Sequence, residues 1–157
     1  MAEISLQVNG KTYEVECNPV TPLIYALRNQ LELVGAKLGC GLEQCGACAV
    51  IVDGEHVLSC VRAASEFEGS EITTVEGLAK GGMLSDLQQA FIDEGAAQCG
   101  YCTAGLLIAA TVLLNKNPKA DDVEVREALQ EHLCRCGSHL RVLKAINRVV
   151  KRGQNNA

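Results

Sequence analysis

Alternation marks the first third of the chain. Ile4, Leu6 and Val8 fall on one side of an extended segment and Ser5 and Gln7 on the other, the period-two pattern of a half-buried strand. Asn9-Gly10 follows, a pair suited to the positive φ angles of a two-residue hairpin turn. Tyr13, Val15 and Cys17 then point inward and Thr12, Glu14 and Glu16 outward, which predicts a returning strand. Thr21-Pro22 supplies a helix start with Pro at the first helical position, and Leu23, Ala26, Leu27 and Leu31 follow at helical spacing. Residues 35–48 hold Gly35, Gly39, Gly41 and Gly46 and read as a loop. Ala49–Val52 and Val57–Cys60 flank Asp53-Gly54, a second hairpin signal, and Ile72–Val75 is a final strand. Two hairpins and one helix predict a small mixed sheet.

Near Val75–Lys80 the period changes. Leu84, Leu87 and Phe91 share a helical face, and Gly95 is a stop. Thr103–Leu114 is apolar nearly all round, which predicts a helix buried among others. Asp121 with Glu124 forms a capping box for a helix that carries Val125 and Leu129 and runs to Leu133. A last helix over roughly 138–152 puts Leu143, Ile146 and Val150 inside. Its other side carries Arg141, Lys144, Arg148, Lys151 and Arg152, read as a solvated face that also suits a helix C-terminus.

Charge and composition narrow the function. The net charge of -5 and aromatic content of 3%, with no Trp, leave neither a basic face nor a base-stacking surface for nucleic acid. No apolar run reaches the ~20 residues that span a bilayer. The start, MAEISLQVNG, lacks the basic and apolar regions of a signal peptide. A cytoplasmic, reducing setting is therefore expected, where stable disulfides are rare.

Nine cysteines then dominate the picture, eight of them in two groups of four. Such clusters without a secretory signal point to metal or redox sites. Cys40, Cys45, Cys48 and Cys60 have the spacing C-x4-C-x2-C-x11-C. The first three match the wrapping loop of plant-type [2Fe–2S] ferredoxins. Gly39, Gly41 and Gly46 let the backbone approach a cluster and aim N–H groups at its sulfurs. The Asp53-Gly54 hairpin brings Cys60 back beside Cys48. Zinc is the rival occupant, since it also takes four thiolates. Cys17 is predicted to face the core as a small hydrophobe.

Cys99, Cys102, Cys134 and Cys136 form the second group, C-x2-C followed by C-x-C. Cysteines two apart cannot share a helical face, so Cys134-Arg135-Cys136 is expected at a helix terminus ended by Gly137. The amino end of the Thr103 helix would offer free N–H groups to an anionic cluster. On spacing alone this group also admits zinc or a redox dithiol. No Ser/His/Asp or paired-carboxylate arrangement suggests catalysis on this chain.

Taken together, CGLEQCGACAVIVDGEHVLSC, QCGYCTAG and LCRCG resemble the small iron–sulfur subunit of the molybdenum hydroxylases, the xanthine oxidase family. The resemblance covers essentially the whole chain. It implies an α+β protein: an N-terminal β-grasp ferredoxin-like domain over 1–76 and a C-terminal four-helix bundle over 77–157, each with one [2Fe–2S] cluster. It also implies a non-catalytic subunit that passes electrons from the molybdopterin of a large partner subunit to an acceptor. The helical-domain cluster would lie next to the pterin, with Gln98 and Cys136 touching it, and the other cluster nearer the acceptor.

One stretch departs from the commonest family pattern. After Cys-Arg-Cys-Gly comes Ser138-His139-Leu140-Arg141 rather than a Thr-Gly-Tyr-like run. With QQAFIDEGAAQCGYC, this is similar to the nicotinate dehydrogenase and isoquinoline oxidoreductase branch. That branch implies hydroxylation of an N-heteroaromatic compound and a molybdopterin cytosine dinucleotide on the partner. The acceptor implied is a c-type cytochrome domain or subunit, or else an FAD subunit. His139 is read as a surface or interface residue, because eight cysteines already fill both clusters.

Overall fold

Two hairpins meet at a strand that belongs to neither. β1 (Ala2–Val8) and β2 (Lys11–Cys17) pair antiparallel, with Val8 opposite Lys11. β3 (Ala49–Val52) and β4 (Glu55–Leu58) pair antiparallel, with Val52 opposite Glu55. β5 (Glu71–Thr73) runs parallel to β1 and antiparallel to β3, so the order is β2-β1-β5-β3-β4. The computed structural model describes residues 1–155.

Both hairpin turns form as expected. Asn9 and Gly10 take φ of 53° and 75°, and Asp53 and Gly54 take 50° and 84°. Because Asp53-Gly54 is a two-residue turn, pairing resumes at once. The return strand is therefore Glu55–Leu58 and not Val57–Cys60. Beyond it the Ser59 amide still donates to the Cys48 carbonyl at 3.4 Å, which places Cys60 next to Cys48. The last strand likewise sits one residue earlier than predicted and stops at Thr73. Asn9 explains the stop: its side chain bonds the amide of Thr74 at 2.9 Å and the hydroxyl at 3.0 Å, turning the chain into the 3-10 turn Val75–Leu78.

The helix after Pro22 is also shorter than its periodicity. α1 (Leu23–Tyr25) widens into a π turn, Ala26–Gln30, closed by the Leu31 amide on the Ala26 carbonyl at 3.2 Å. Glu32 then takes a φ of 57°, and Arg28 holds the carbonyls of Val34 and Ala36 at 2.7 and 2.6 Å. Leu31 is left at the edge of the core. Ile4, Leu6, Val8, Val15 and Cys17 pack under Leu23, Leu27 and Phe67. Cys17 is thus a core residue, as the alternation implied.

Among the described residues the second half holds four helices: α2 (Asp86–Asp93), α3 (Thr103–Lys116), α4 (Asp122–Ala128) and α5 (His139–Asn155). α3 is buried along most of its length and packs against Leu87, Phe91, Val125, Ile146 and Val150. Its other side meets the sheet, where Ile108 and Val112 join Ala49 and Ile51 in one cluster. Ser85, rather than Leu84, opens α2: it caps the helix, and Leu84 lies outside it, exposed. The Asp121 side chain accepts from the amides of Val123 and Glu124, the predicted cap. α4 nevertheless ends at Ala128, five residues short of Leu133. The outer charges of α5 are not simply solvated. Lys144 and Arg148 pair with Glu94 at 2.8 and 3.0 Å, and Arg141 reaches the Gly95 carbonyl at 3.3 Å. These cations sit at the C-terminal end of α2, where the helix dipole favours positive charge. No helix among the described residues is long and apolar enough to cross a membrane.

Candidate metal centres

The loop before β3 folds around its own sulfurs. Cys40 stands exposed at the tip. The amides of Leu42 and Gln44 each donate to its Sγ at 3.3 Å, and the Cys40 amide donates to the Sγ of Cys45 at 3.4 Å. These N–H donors, the Gln44 amide foremost, bring the Cys40 thiol down to about 7. Cys48 and Cys60 lie side by side in an apolar pocket with Ile24 and Leu38. Burial first, then the neighbouring Cys60 sulfur, pushes the Cys48 thiol up to about 12. Two such sulfurs become thiolates together only with positive charge between them, which is what a metal supplies.

The second group lies at the start of α3 and in the connection from α4 to α5. The thiols of the two stretches are close enough to shift one another: Cys136 and Cys134 act on Cys99, and Cys134 acts on Cys102. The Cys-Arg-Cys turn is not at a helix end, because α4 has already stopped at Ala128. It lies in the open connection just before α5, with Gly137 at a φ of 72°. Ser138 organises it. Its Oγ is 3.0 Å from the Cys134 Sγ, and its amide donates to the same sulfur at 3.4 Å. Burial pushes the Cys134 thiol up, but the two Ser138 contacts and the Cys102 sulfur outweigh it and bring it down to about 6. Burial, then the adjacent Cys134, pushes Cys102 up to about 12. The Tyr101 amide and then the Cys136 side chain lower Cys99.

Within each group the thiols act on one another: Cys40 with Cys45 and Cys48 with Cys60 in the first, and Cys134 and Cys136 on Cys99, with Cys134 and Cys99 on Cys102, in the second. Among the described residues, no three Cys, His, Asp or Glu side chains converge on one ion position. A single tetrahedral zinc needs all its ligands within ~2.3 Å of one point. Four thiolates in each group are the number that the two irons of a [2Fe–2S] cluster take. All nine cysteines are free.

Gln98 and Cys136 also come together. The Gln98 Nε2 donates to the Cys136 carbonyl at 3.1 Å, with the Gln98 side chain on the surface. His139 is half-buried and faces the His132 carbonyl at 3.2 Å, not a sulfur. Four residues near the cysteines escaped the sequence reading as site residues. Ser138 contacts a sulfur. Tyr101 donates through its hydroxyl to the Leu38 carbonyl at 2.6 Å, joining the two cysteine loops. His56 and His132 meet at 3.1 Å between their Nε2 atoms. Only Ser138 stood out in the sequence, as part of the departure after the Cys-Arg-Cys turn.

Two cysteine quartets, one on a ferredoxin-like mixed sheet and one among helices, define an iron–sulfur electron-transfer protein. The comparisons with known proteins agree. Residues 6–79 match the family described as 2Fe-2S iron-sulfur cluster binding domain, and residues 74–147 match the [2Fe-2S] binding domain family. The chain is 49% identical over 148 residues to one of the nicotinate dehydrogenase subunits of Pseudomonas putida, covering 94% of each. It is 41% identical to the alpha subunit of isoquinoline 1-oxidoreductase of Brevundimonas diminuta, covering 94% of this chain and 97% of the other. The crystal structure of quinoline 2-oxidoreductase from Pseudomonas putida 86 superposes with a TM-score of 0.91 at 38% identity, covering 98% of this chain and 96% of that one. The chain belongs to the small [2Fe–2S] subunits of the molybdenum hydroxylase family. It is the electron-transfer subunit of such an oxidoreductase.

Proposed function

We propose that Cys40, Cys45, Cys48 and Cys60 hold one [2Fe–2S] cluster and Cys99, Cys102, Cys134 and Cys136 a second. The convergence of each group is the observation that carries this reading: Cys48 and Cys60 share one apolar pocket, the Cys40 amide donates to the Cys45 sulfur, and Gln98, next to Cys99, holds the Cys136 carbonyl. Each cluster, when bound, supplies a one-electron couple. The chain's own part is to hold the thiolates, to point N–H groups at them and to exclude water from Cys48, Cys60 and Cys102. The amides of Leu42 and Gln44 and the hydroxyl of Ser138 offset the negative charge that reduction adds.

The two halves serve as a β-grasp domain over 1–76 and a four-helix bundle over 77–157. The sheet order with β5 at its centre supports the first, and the packing of α2, α4 and α5 around α3 supports the second. Gln98 and Cys136 form a surface contact that suits the pterin of a large molybdenum subunit, in its cytosine dinucleotide form. The second quartet then lies nearest molybdenum and the first nearest the acceptor, a c-type cytochrome or an FAD subunit. The relatives named for nicotinate and isoquinoline support an N-heteroaromatic substrate for the complex, bound on the large subunit. The cytoplasm, where thiols stay unpaired, is the compartment we assign.

The test is the native complex. Purified with its partners, it should contain about four irons and four acid-labile sulfides per copy of this chain, with molybdenum. Stoichiometric zinc, or two irons in fully loaded material, would overturn the reading. Hydroxylation by this chain alone with an artificial acceptor would overturn its non-catalytic role.

A further inference from the structure

Two histidines stand between the cysteine groups and belong to neither. His132 is 2% exposed and precedes Cys134 by two residues. Its Nε2 lies 3.1 Å from the Nε2 of His56 on β4, and the rings meet edge to face with centroids 5.1 Å apart. At that separation one ring donates its N–H and the other accepts. The two residues are 76 positions apart and come from opposite halves of the chain.

The ring of His132 has been given room on two sides. A Cβ on Gly46, which lies between Cys45 and Cys48, would stand 2.2 Å from the His132 Nδ1. A Cβ on Gly105, in the first turn of α3, would stand 3.1 Å from the same nitrogen and 2.1 Å from the Gly46 carbonyl oxygen. The imidazole thus fills the space between the first cysteine loop and α3, the helix that Cys102 precedes. The backbone of His132 is held by short-range bonds, its amide on the Leu129 carbonyl at 2.9 Å and His139 on the His132 carbonyl at 3.2 Å. Between α4 and α5 there is no regular structure, yet this stretch carries two of the four sulfurs of the second group. The next amide, that of Leu133, donates to the Cys45 carbonyl at 3.1 Å.

We infer that His56 and His132 are positioning residues: their mutual hydrogen bond clamps the two cysteine loops together and fixes the separation across which an electron passes between the clusters. This rests on the reading that each quartet holds a [2Fe–2S] cluster. In the transfer one cluster is oxidised by one electron and the other is reduced by it. No proton moves and no bond forms, so the imidazoles act only by holding the loops. The Leu133 amide is the direct link, and the histidine clamp keeps it on Cys45.

The assembled complex tests this with two readouts. One is the magnetic interaction between the two reduced clusters, seen as splitting in low-temperature paramagnetic resonance. The other is hydrogen exchange at the Leu133 amide, which needs no turnover. His56→Phe keeps the bulk and removes the bond. It should lose or clearly reduce the splitting and speed Leu133 exchange about tenfold, the opening that one lost hydrogen bond allows. His56→Gln returns an amide to the same region and should keep both near native. If His56→Phe fails to accumulate, His132→Asn breaks the contact from the other side and is read the same way. Native splitting and exchange in the bond-breaking variant overturn the clamp, and so does equal loss in the Phe and Gln variants. Iron analysis separates the two levels. Four irons per chain in every variant leaves the cluster reading standing whatever the clamp does, whereas two irons in the native complex removes both.

Discussion

The backbone amide of Leu133 donates to the carbonyl of Cys45 at 3.1 Å. Cys45 belongs to the first cysteine group and Leu133 is the chain neighbour of Cys134 in the second. One hydrogen bond thus joins a cysteine of the first group to the chain neighbour of a cysteine of the second. The hydroxyl of Tyr101, which lies between Cys99 and Cys102, makes a second link at 2.6 Å to the carbonyl of Leu38.

Tyr101→Phe removes that second link and keeps the ring. A net loss of about 0.5–1 kcal/mol is expected, the worth of one hydrogen bond at a half-exposed site. Urea unfolding of the native and substituted chains checks it. Iron content should stay unchanged, because the Phe ring fills the same space.

Ser138→Ala acts on one centre only. It removes the hydroxyl 3.0 Å from the Cys134 sulfur, a donor that favours the more negative, reduced state. A loss of ~1 kcal/mol corresponds to a fall of roughly 40 mV for a one-electron couple. In redox titrations of the complex one iron–sulfur signal should shift and the other stay. The shifted signal should be the one coupled to Mo(V). A shift in the uncoupled signal would reverse the proposed order of the clusters.

Gly105→Ala should be among the most damaging small changes in the chain. The new Cβ would meet the Gly46 carbonyl oxygen, a backbone atom of the other cysteine loop, at 2.1 Å. Neither the helix nor the loop yields cheaply, so the overpacking should cost on the order of 2–3 kcal/mol. Thermal unfolding measures it. A melting point within a degree of native would show that the halves slide apart at no cost.

Acid should weaken the fold through His132. Burial, and then the neighbouring His56, holds its imidazole down at about 4, and burial also lowers His56. Free histidine titrates near 6.5. Between those values the unfolded chain binds a proton that the folded chain refuses, so stability falls as pH drops. It is fully present above about pH 6.5 and declines by up to ~1.4 kcal/mol per pH unit down to about pH 4. Urea midpoints from pH 7 to 5 should show this slope, and His132→Asn should flatten it.

What could be read in advance was local. Asp121 and Glu124 are three residues apart, and a cap needs no more than that. Asn9-Gly10 and Asp53-Gly54 fix their turns through their own backbone preferences. The cysteine quartets were legible because each loop wraps its own sulfurs within a short stretch, apart from the step to Cys134. The end of α4 at Ala128 was not, since the residues that follow are drawn off by a partner elsewhere, the Leu133 amide going to Cys45. Leu31 kept a helical spacing, but a π turn moved it to the core's edge. His56 and His132 gave no signal, because their contact exists only once both halves have folded. The same holds for Arg148, whose partners Asp93 and Glu94 sit on another helix.

The central position of β5 also bears on how the protein is made. Its three residues join one hairpin to the other within the sheet, through Val8 opposite Ile72 and Ile51 opposite Thr73. During synthesis Cys40, Cys45, Cys48 and Cys60 all leave the ribosome before this strand does. Until residue 73 has emerged, the two hairpins share no sheet, and the pairing of β5 with β1 must close a long loop at an entropic cost. The first quartet is therefore complete as a sequence before it has a platform to stand on. Iron delivery to that quartet must wait for the newest part of the domain, and a nascent chain halted just past Cys60 should bind the metal poorly despite carrying every ligand.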